Sequence, residues 1–337
     1  MFRSLSVAVT LIVVCGASQI RAAEETDVKQ LARIRRSVGR GLAIVQKAAA
    51  NYPKHRKCFS CHHQTLPILA MTSARSRGIA IDENVLKTQL KFTRKSFRRR
   101  ISQLKSGTGI GGRAMTVGYA LWMLSLCSSQ ADDVTTAMVA YLLKTQKSKG
   151  HWQSQSQRPP LEESRITCTA LAITGIGHFA EKTQRKRVKV AKSKARQWLS
   201  TVKPRTNEDR VMLLWSRHMS GEDAAKLAAM RNGILQLQNK DGGWAQKADM
   251  PSDAYATGQS LFLLRKTGLP RSSPAFRSGI EFLLRTQKPD GSWYVKTRSK
   301  PVQVFFDNGD PHGKNQFISI PATAWATAAL ATALPKR

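Results

Sequence analysis

Three times in this chain a Gln is followed four residues later by Gly and six residues later by Trp: Gln146 to Trp152, Gln238 to Trp244 and Gln287 to Trp293. In a chain with seven Trp, chance rarely sets three of them in one frame. Trp244 to Trp293 is a step of 49 residues, and Trp152 to Trp244 is 92, or two units of 46 with a degenerate unit between that lacks the Gln and Gly. Around the second turn, Leu227, Met230, Ile234 and Leu237 step at three and four residues, one apolar stripe on a polar helix. Asn239 to Gly243 is turn chemistry. Ser252 or Asp253 then offers a cap to a segment, Tyr255 to Leu264, that is apolar almost all round until Gly268 and Pro270 stop it. A helix with one apolar stripe belongs outside and a helix without a polar face belongs inside. Tyr255-Ala256-Thr257 recurs as Trp325-Ala326-Thr327, so the inner helices repeat as well. A period of 40 to 50 residues calls for a helical array or a closed ring of helix pairs.

Six pairs can be counted on this template. Outer helices are expected over 28–51, 82–104, 132–146, 185–202, 222–238 and 274–287, and inner helices over 63–77, 113–126, 164–178, 208–217, 252–266 and 321–334. Six pairs suffice to close an all-α, six-pair α/α toroid, an inner barrel of helices within an outer ring, as a single domain over 24–337. The last unit breaks the spacing. Trp244 to Tyr255 is 11 residues but Trp293 to Trp325 is 32, which leaves a lid-like insert over 296–320 containing Phe305, Phe306, Asp307, Asp310 and His312. A loop of this length is expected to serve function, here by folding over one mouth of the barrel with Asp310 and His312 facing the cavity.

These turns resemble the QW motifs of squalene-hopene cyclases, and the paired helices resemble the wider terpenoid cyclase and protein prenyltransferase toroids. The likeness is most specific between Leu235 and Leu330, where Ser252 to Gln259 and Ala322 to Leu330 look like the squalene-cyclase C-terminal-like segments of exported bacterial proteins. The resemblance implies a central cavity for an apolar, isoprenoid-like ligand. The catalytic acids of those families are not carried over. No Asp-x-Asp-Asp occurs, Thr167-Cys168-Thr169-Ala170 has Thr where oxidosqualene cyclases have Asp, and no Cys stands two residues after Asp253, as the prenyltransferase zinc site would require.

Residues 1–23 have the layout of a secretory signal: Arg3, an apolar run from Val7 to Val14, and small residues at Ala22 and Ala23. An exported protein is therefore expected, in the periplasm or outside the cell. Fifty-five basic against 21 acidic residues give a net charge of +34, concentrated in 91–100 and 184–196 on expected outer helices. For an exported chain this points to an anionic membrane or envelope surface. No helix-turn-helix, zinc finger or aromatic-basic strand pattern points to specific nucleic-acid binding.

In a ring of this kind the inner helices run the same way, so their N-termini gather at one mouth. Glu208, Asp209 and Asp253 fall there, and with His312 they are the candidate catalytic residues; helix capping is the competing role for the three acids. Cys58-Phe59-Ser60-Cys61-His62 opens the first inner helix and is the c-type haem attachment pattern, with two thiols for the porphyrin and His62 for iron. Three other readings compete with haem: a local disulfide; zinc held by the two thiols with His62 or His63, the remaining ligands coming from His312 or a carboxylate; and mouth residues of an enzyme. Cys127 and Cys168 are expected at opposite ends of the barrel as unpaired thiols. Three functions remain open: a toroid that binds, with or without processing, an isoprenoid-like ligand; a haem c redox protein on the same scaffold; and a non-catalytic envelope scaffold.

Overall fold

The computed structural model describes residues 6–300 and 304–336, with side chains from residue 27 onward. The signal peptide expected over 1–23 lies outside the residues whose side chains are described. Among the described residues the only regular secondary structure besides helix is one isolated bridge, Ala245 to Ser252. In order come α1 (Ser6–His55), α2 (Leu66–Arg75), α3 (Glu83–Arg98), α4 (Ile101–Ser106), α5 (Arg113–Leu126), α6 (Asp133–Thr145), α7 (Arg165–Phe179), α8 (Arg185–Thr201), α9 (Asn207–Met219), α10 (Ala224–Leu235), α11 (Ala254–Lys266), α12 (Pro274–Thr286) and α13 (Gln316–Ala333).

Helices α2, α5, α7, α9, α11 and α13 pack in a closed circuit, each on the next and α13 back on α2. The others form the outer ring. The apolar periodicities explain this division: α11 buries every residue from Ala254 to Leu264, whereas the outer α10 buries only Leu227 and Ile234. Among the described residues, no helix is long and apolar enough to cross a membrane.

The repeated turn performs one task three times. Gln146 Nε2 donates to Gly150 O at 2.8 Å and to Ala191 O of α8 at 2.8 Å. Gln238 does the same to Gly242 O and to Ala275 O of α12, and Gln287 to Gly291 O and to Ser37 O of α1. Each Gln therefore ties the end of one outer helix to the next, and the third tie closes the ring onto α1. Each Trp drops its indole into the layer between rings, with Nε1 donating to Leu142 O, Ile234 O or Leu283 O at 2.7 to 2.9 Å. Each Trp backbone N–H is taken by the hydroxyl of an inner helix, Thr169, Thr257 or Thr323. The glycines are required on two counts. Gly291 has φ +95°, and a Cβ there would lie 2.7 Å from the Arg40 carbonyl oxygen.

Two expected elements differ. The outer helix expected over 82–104 breaks at Arg99 and Arg100 into α3 and the short α4, which turns to pack on α6 and bury Leu104. The last inner helix does not begin at Pro321. It starts at Gln316, whose Nε2 donates to Phe306 O at 2.7 Å, and Pro321 lies inside it. The expected range 321–334 would put Pro321 in the first turn, where proline is most at home, but tertiary packing of the preceding turn extends the helix through it. The degenerate unit has no turn at all, residues 202–206 joining α8 directly to α9.

Candidate functional site

The N-termini of the inner helices do meet at one mouth, and hydrogen bonds run between them. At α9, Glu208 accepts from Thr167 Oγ1 of α7 at 2.9 Å and from Tyr255 OH of α11 at 2.7 Å. Burial pushes its carboxyl up to about 7 despite these two hydroxyls. Asp209 beside it is a cap: it accepts from Ser164 Oγ at 2.5 Å and from the N–H groups of Arg205 and Thr206. Asp253 caps α11 through Ala256 N at 2.8 Å and accepts from Gln246 Nε2 at 2.8 Å; burial raises it to about 6.

The first unit reaches the mouth differently. Cys61 to Thr65 form a π turn ahead of α2, which brings two consecutive imidazoles to the rim. His62 Nδ1 lies 3.1 Å from Ser60 Oγ, and its ring packs against Phe317 and His63. His63 stacks on Tyr52 at 4.7 Å and meets the side-chain amide of Asn308 through Nε2. Burial holds His62 well below the usual imidazole range and His63 down to about 3, so both are neutral at physiological pH. Cys61 Sγ donates to Glu162 Oε1 at 3.4 Å. Glu162 is also held by Arg158 (Nε to Oε2 at 3.0 Å, Nη2 to Oε1 at 2.5 Å) and by Ser156 Oγ at 2.5 Å. Burial first, and then the Glu162 charge, drive the Cys61 thiol well above its usual value.

The insert crosses this mouth as a strap. Arg298 Nε donates to Gln246 Oε1 at 2.9 Å in the fifth unit, and Ser299 Oγ donates to Pro159 O at 2.9 Å in the third. Arg56 Nη2 in the first unit donates to Val304 O at 2.6 Å. Beneath the strap lies a cavity of 430 Å³ whose apolar walls are Tyr52, Phe305, Phe306 and Phe317, with His62, His63, Arg158, Lys300 and Lys314 among its polar lining and no carboxylate. A second, polar cleft of 590 Å³ lies between α7, α9 and α11 and reaches Glu208, Asp209, Arg165, Arg205 and Arg298. Deeper along the axis the barrel is filled. Trp122 of α5 touches Trp215 of α9 at 5.4 Å and Trp325 of α13 at 6.0 Å, although α7 and α2 separate α5 from those helices around the ring. Such contacts can only be made across the axis, and Phe262 of α11 joins them. The free space is therefore at the mouth.

Asp310 and His312 line neither cavity. His312 Nε2 is 2.7 Å from Ser292 Oγ and its ring meets Tyr294, so it braces the strap against the third turn. Asp310 accepts from His312 N at 3.0 Å and is pushed up to about 6 by burial. The structure thus gathers Cys61, His62 and His63 in one cluster and Glu208 and Asp209 in another, with Asp253 beside the latter and His312 apart. Tyr52, Arg158 and Phe317 were missed as site residues; the only cue to any of them was the four-residue spacing of Arg158 and Glu162.

Cofactor fit can be judged on the same geometry. A covalent haem needs both thiols on one porphyrin face and His62 free to reach iron. Here Cys58 Sγ lies against Tyr52 OH at 3.6 Å while Cys61 faces Glu162, and the His62 ring is packed against His63 and Phe317. This enclosure favours a smaller occupant. Cys127 and Cys168 are unpaired thiols, one closing α5 and the other in the first turn of α7.

No family model matches the sequence. The fold, however, is similar to solved type II terpene cyclases. A variant of MstE from Scytonema in complex with merosterolic acid A has a TM-score of 0.61 at 14% identity, with 92% of this chain and 99% of that chain covered. A second variant, in complex with geranylgeranyl dihydroxybenzoate, gives the same values. A protein from Actinoplanes has a TM-score of 0.57 at 14% identity, covering 90% of this chain and 100% of that one. The chain thus has an α/α-toroid fold similar to that of these cyclases.

Proposed function

We propose that this protein binds an isoprenoid-like ligand at the mouth of its ring, the apolar chain lying beneath the strap and an anionic head group meeting Arg158, Lys300 and Lys314. The observation that carries the reading is the 430 Å³ cavity, aromatic on its walls and basic at its rim. The likeness to cyclases captured with a prenylated substrate supports it. The resemblance of Ser252 to Gln259 and of Ala322 to Leu330 to squalene-cyclase C-terminal-like segments supports it as well. No Asp-x-Asp-Asp occurs in the sequence and, among the described residues, no carboxylate lines this cavity, so the proposed role is binding. Glu208, whose carboxyl burial holds at about 7 and so close to half-protonated at neutral pH, is the residue for proton transfer if the ligand extends into the neighbouring cleft. The secretory pattern at 1–23 supports a role outside the cytoplasm.

The test is gentle purification followed by organic extraction and mass spectrometry. A polyprenyl or similarly long-chain lipid recovered near one per chain is the expected result. A protein that arrives empty and fails to take up a fluorescent prenyl phosphate analogue rejects the reading.

A further inference from the structure

We propose that Cys61, His62 and Glu162 form a site for a zinc-class divalent ion whose remaining coordination position opens toward the aromatic cavity. The three side chains come from two units of the ring, and their candidate ligand atoms all lie within 4.8 Å of one another. Bond lengths of about 2.3 Å to sulfur and about 2.0 Å to oxygen set the sulfur-to-oxygen edge of a zinc tetrahedron at about 3.5 Å. The Cys61 Sγ to Glu162 Oε1 distance is 3.4 Å. The ion can therefore replace the thiol proton with little movement of either ligand.

The supporting groups are those a metal site requires. Arg158 and Ser156 fix Glu162, and Ser60 Oγ contacts His62 Nδ1. A thiol, an imidazole and a carboxylate select a borderline-soft transition ion over calcium or magnesium. Three protein ligands and one open position is the pattern of sites that bind a water or ligand atom, and His62 and Arg158 both line the cavity. This is a different place from Asp253 and His312, where the prenyltransferase likeness would put zinc. Binding releases one proton as Cys61 becomes a thiolate, so affinity rises with pH.

The metal itself is the probe, so the outcome does not depend on which lipid the cavity takes. Metal-free full-length protein titrated with Co²⁺ is expected to bind one ion per chain, with a thiolate-to-cobalt charge-transfer band that Zn²⁺ abolishes. Cys61→Ser removes that band, His62→Ala and Glu162→Gln weaken binding more than tenfold, and Arg158→Gln weakens it about tenfold. Cys58→Ser leaves the band intact. In the unmodified protein, Zn²⁺ should slow alkylation of Cys61 at least tenfold, mapped by peptide mass spectrometry on briefly unfolded and refolded samples, without matching protection of Cys58. No stoichiometric cobalt, equal loss in Cys58→Ser, equal protection of both thiols, or a Soret band in protein made in a haem-maturing host would each overturn the proposal.

Discussion

The three Gln-to-Trp turns and the mouth are built from the same kinds of side chain used in opposite ways. At the turns each Gln amide and each Trp indole donates to backbone carbonyls, and that set of bonds is the same three times over. At the mouth polar side chains meet one another across units, as Cys61 meets Glu162 and Glu208 meets Tyr255, and no unit repeats another. Burial then shifts the acidities of these mouth groups, whereas the repeated Gln and Trp side chains of the turns carry no titratable group. The difference separates what the repeat is for, closing a ring, from what departures from the repeat are for, holding something at its rim.

The largest expected effect lies in the wall. Gly291→Ala forces a Cβ against Arg40 O at a backbone angle that alanine resists, and should cost roughly 3 kcal/mol or more in chemical denaturation. Wild-type-like stability would mean that the closing turn is dispensable. At the mouth the ranking inverts. Phe306→Ala should leave the melting temperature within a few degrees but weaken prenyl-lipid binding about tenfold, since a partly exposed ring is removed from the cavity wall.

A third effect is the pH dependence of the Glu208 cluster. The Glu208 carboxyl sits at about 7 in the folded protein against an ordinary value of 4.5, so the folded state holds its proton more tightly. The stabilisation is complete below pH 4.5 and is lost as pH rises through 7, on the order of 3 kcal/mol in all. His62 and His63 act oppositely, because their depressed values cost stability as pH falls below about 6.5. Glu208→Gln isolates the acid: the wild type should lose stability relative to this variant between pH 5 and pH 8, and a constant difference would remove Glu208 from the account. The smallest effect concerns the basic outer helices. Exposed Arg185, Lys186, Arg187 and Lys189 on α8 should give binding to anionic vesicles that disappears above roughly 0.3 M salt, and salt-independent binding would exclude this face.

The ring was legible because a period of 46 to 49 residues marked by Trp and Gly is a local signal repeated along the chain. Which atoms the Gln would bond was not, since Gln287 and Ser37 are 250 residues apart. Motifs located the mouth, and Cys61 and His62 stood out by spacing. Their partner Glu162 was visible only as an acid near the third inner helix, because no local pattern encodes a contact across 101 residues. Pro321 misled by its usual helix-start preference. Asp310 and His312 were expected to face the cavity, whereas their contacts hold the strap to the wall. The aromatic filling of the axis had no sequence signal, because Trp122, Trp215 and Trp325 each look like ordinary core.

Photo-crosslinking tests most directly whether the rim is where the ligand sits. A prenyl phosphate carrying a terminal benzophenone, irradiated with the folded protein and mapped by peptide sequencing, should label the strap around Phe305 and Phe306 and the start of α13 at Phe317, and unlabelled lipid should compete it away. Labelling confined to the outer faces of α3 or α8, or labelling that excess lipid does not reduce, would contradict a binding site at the mouth.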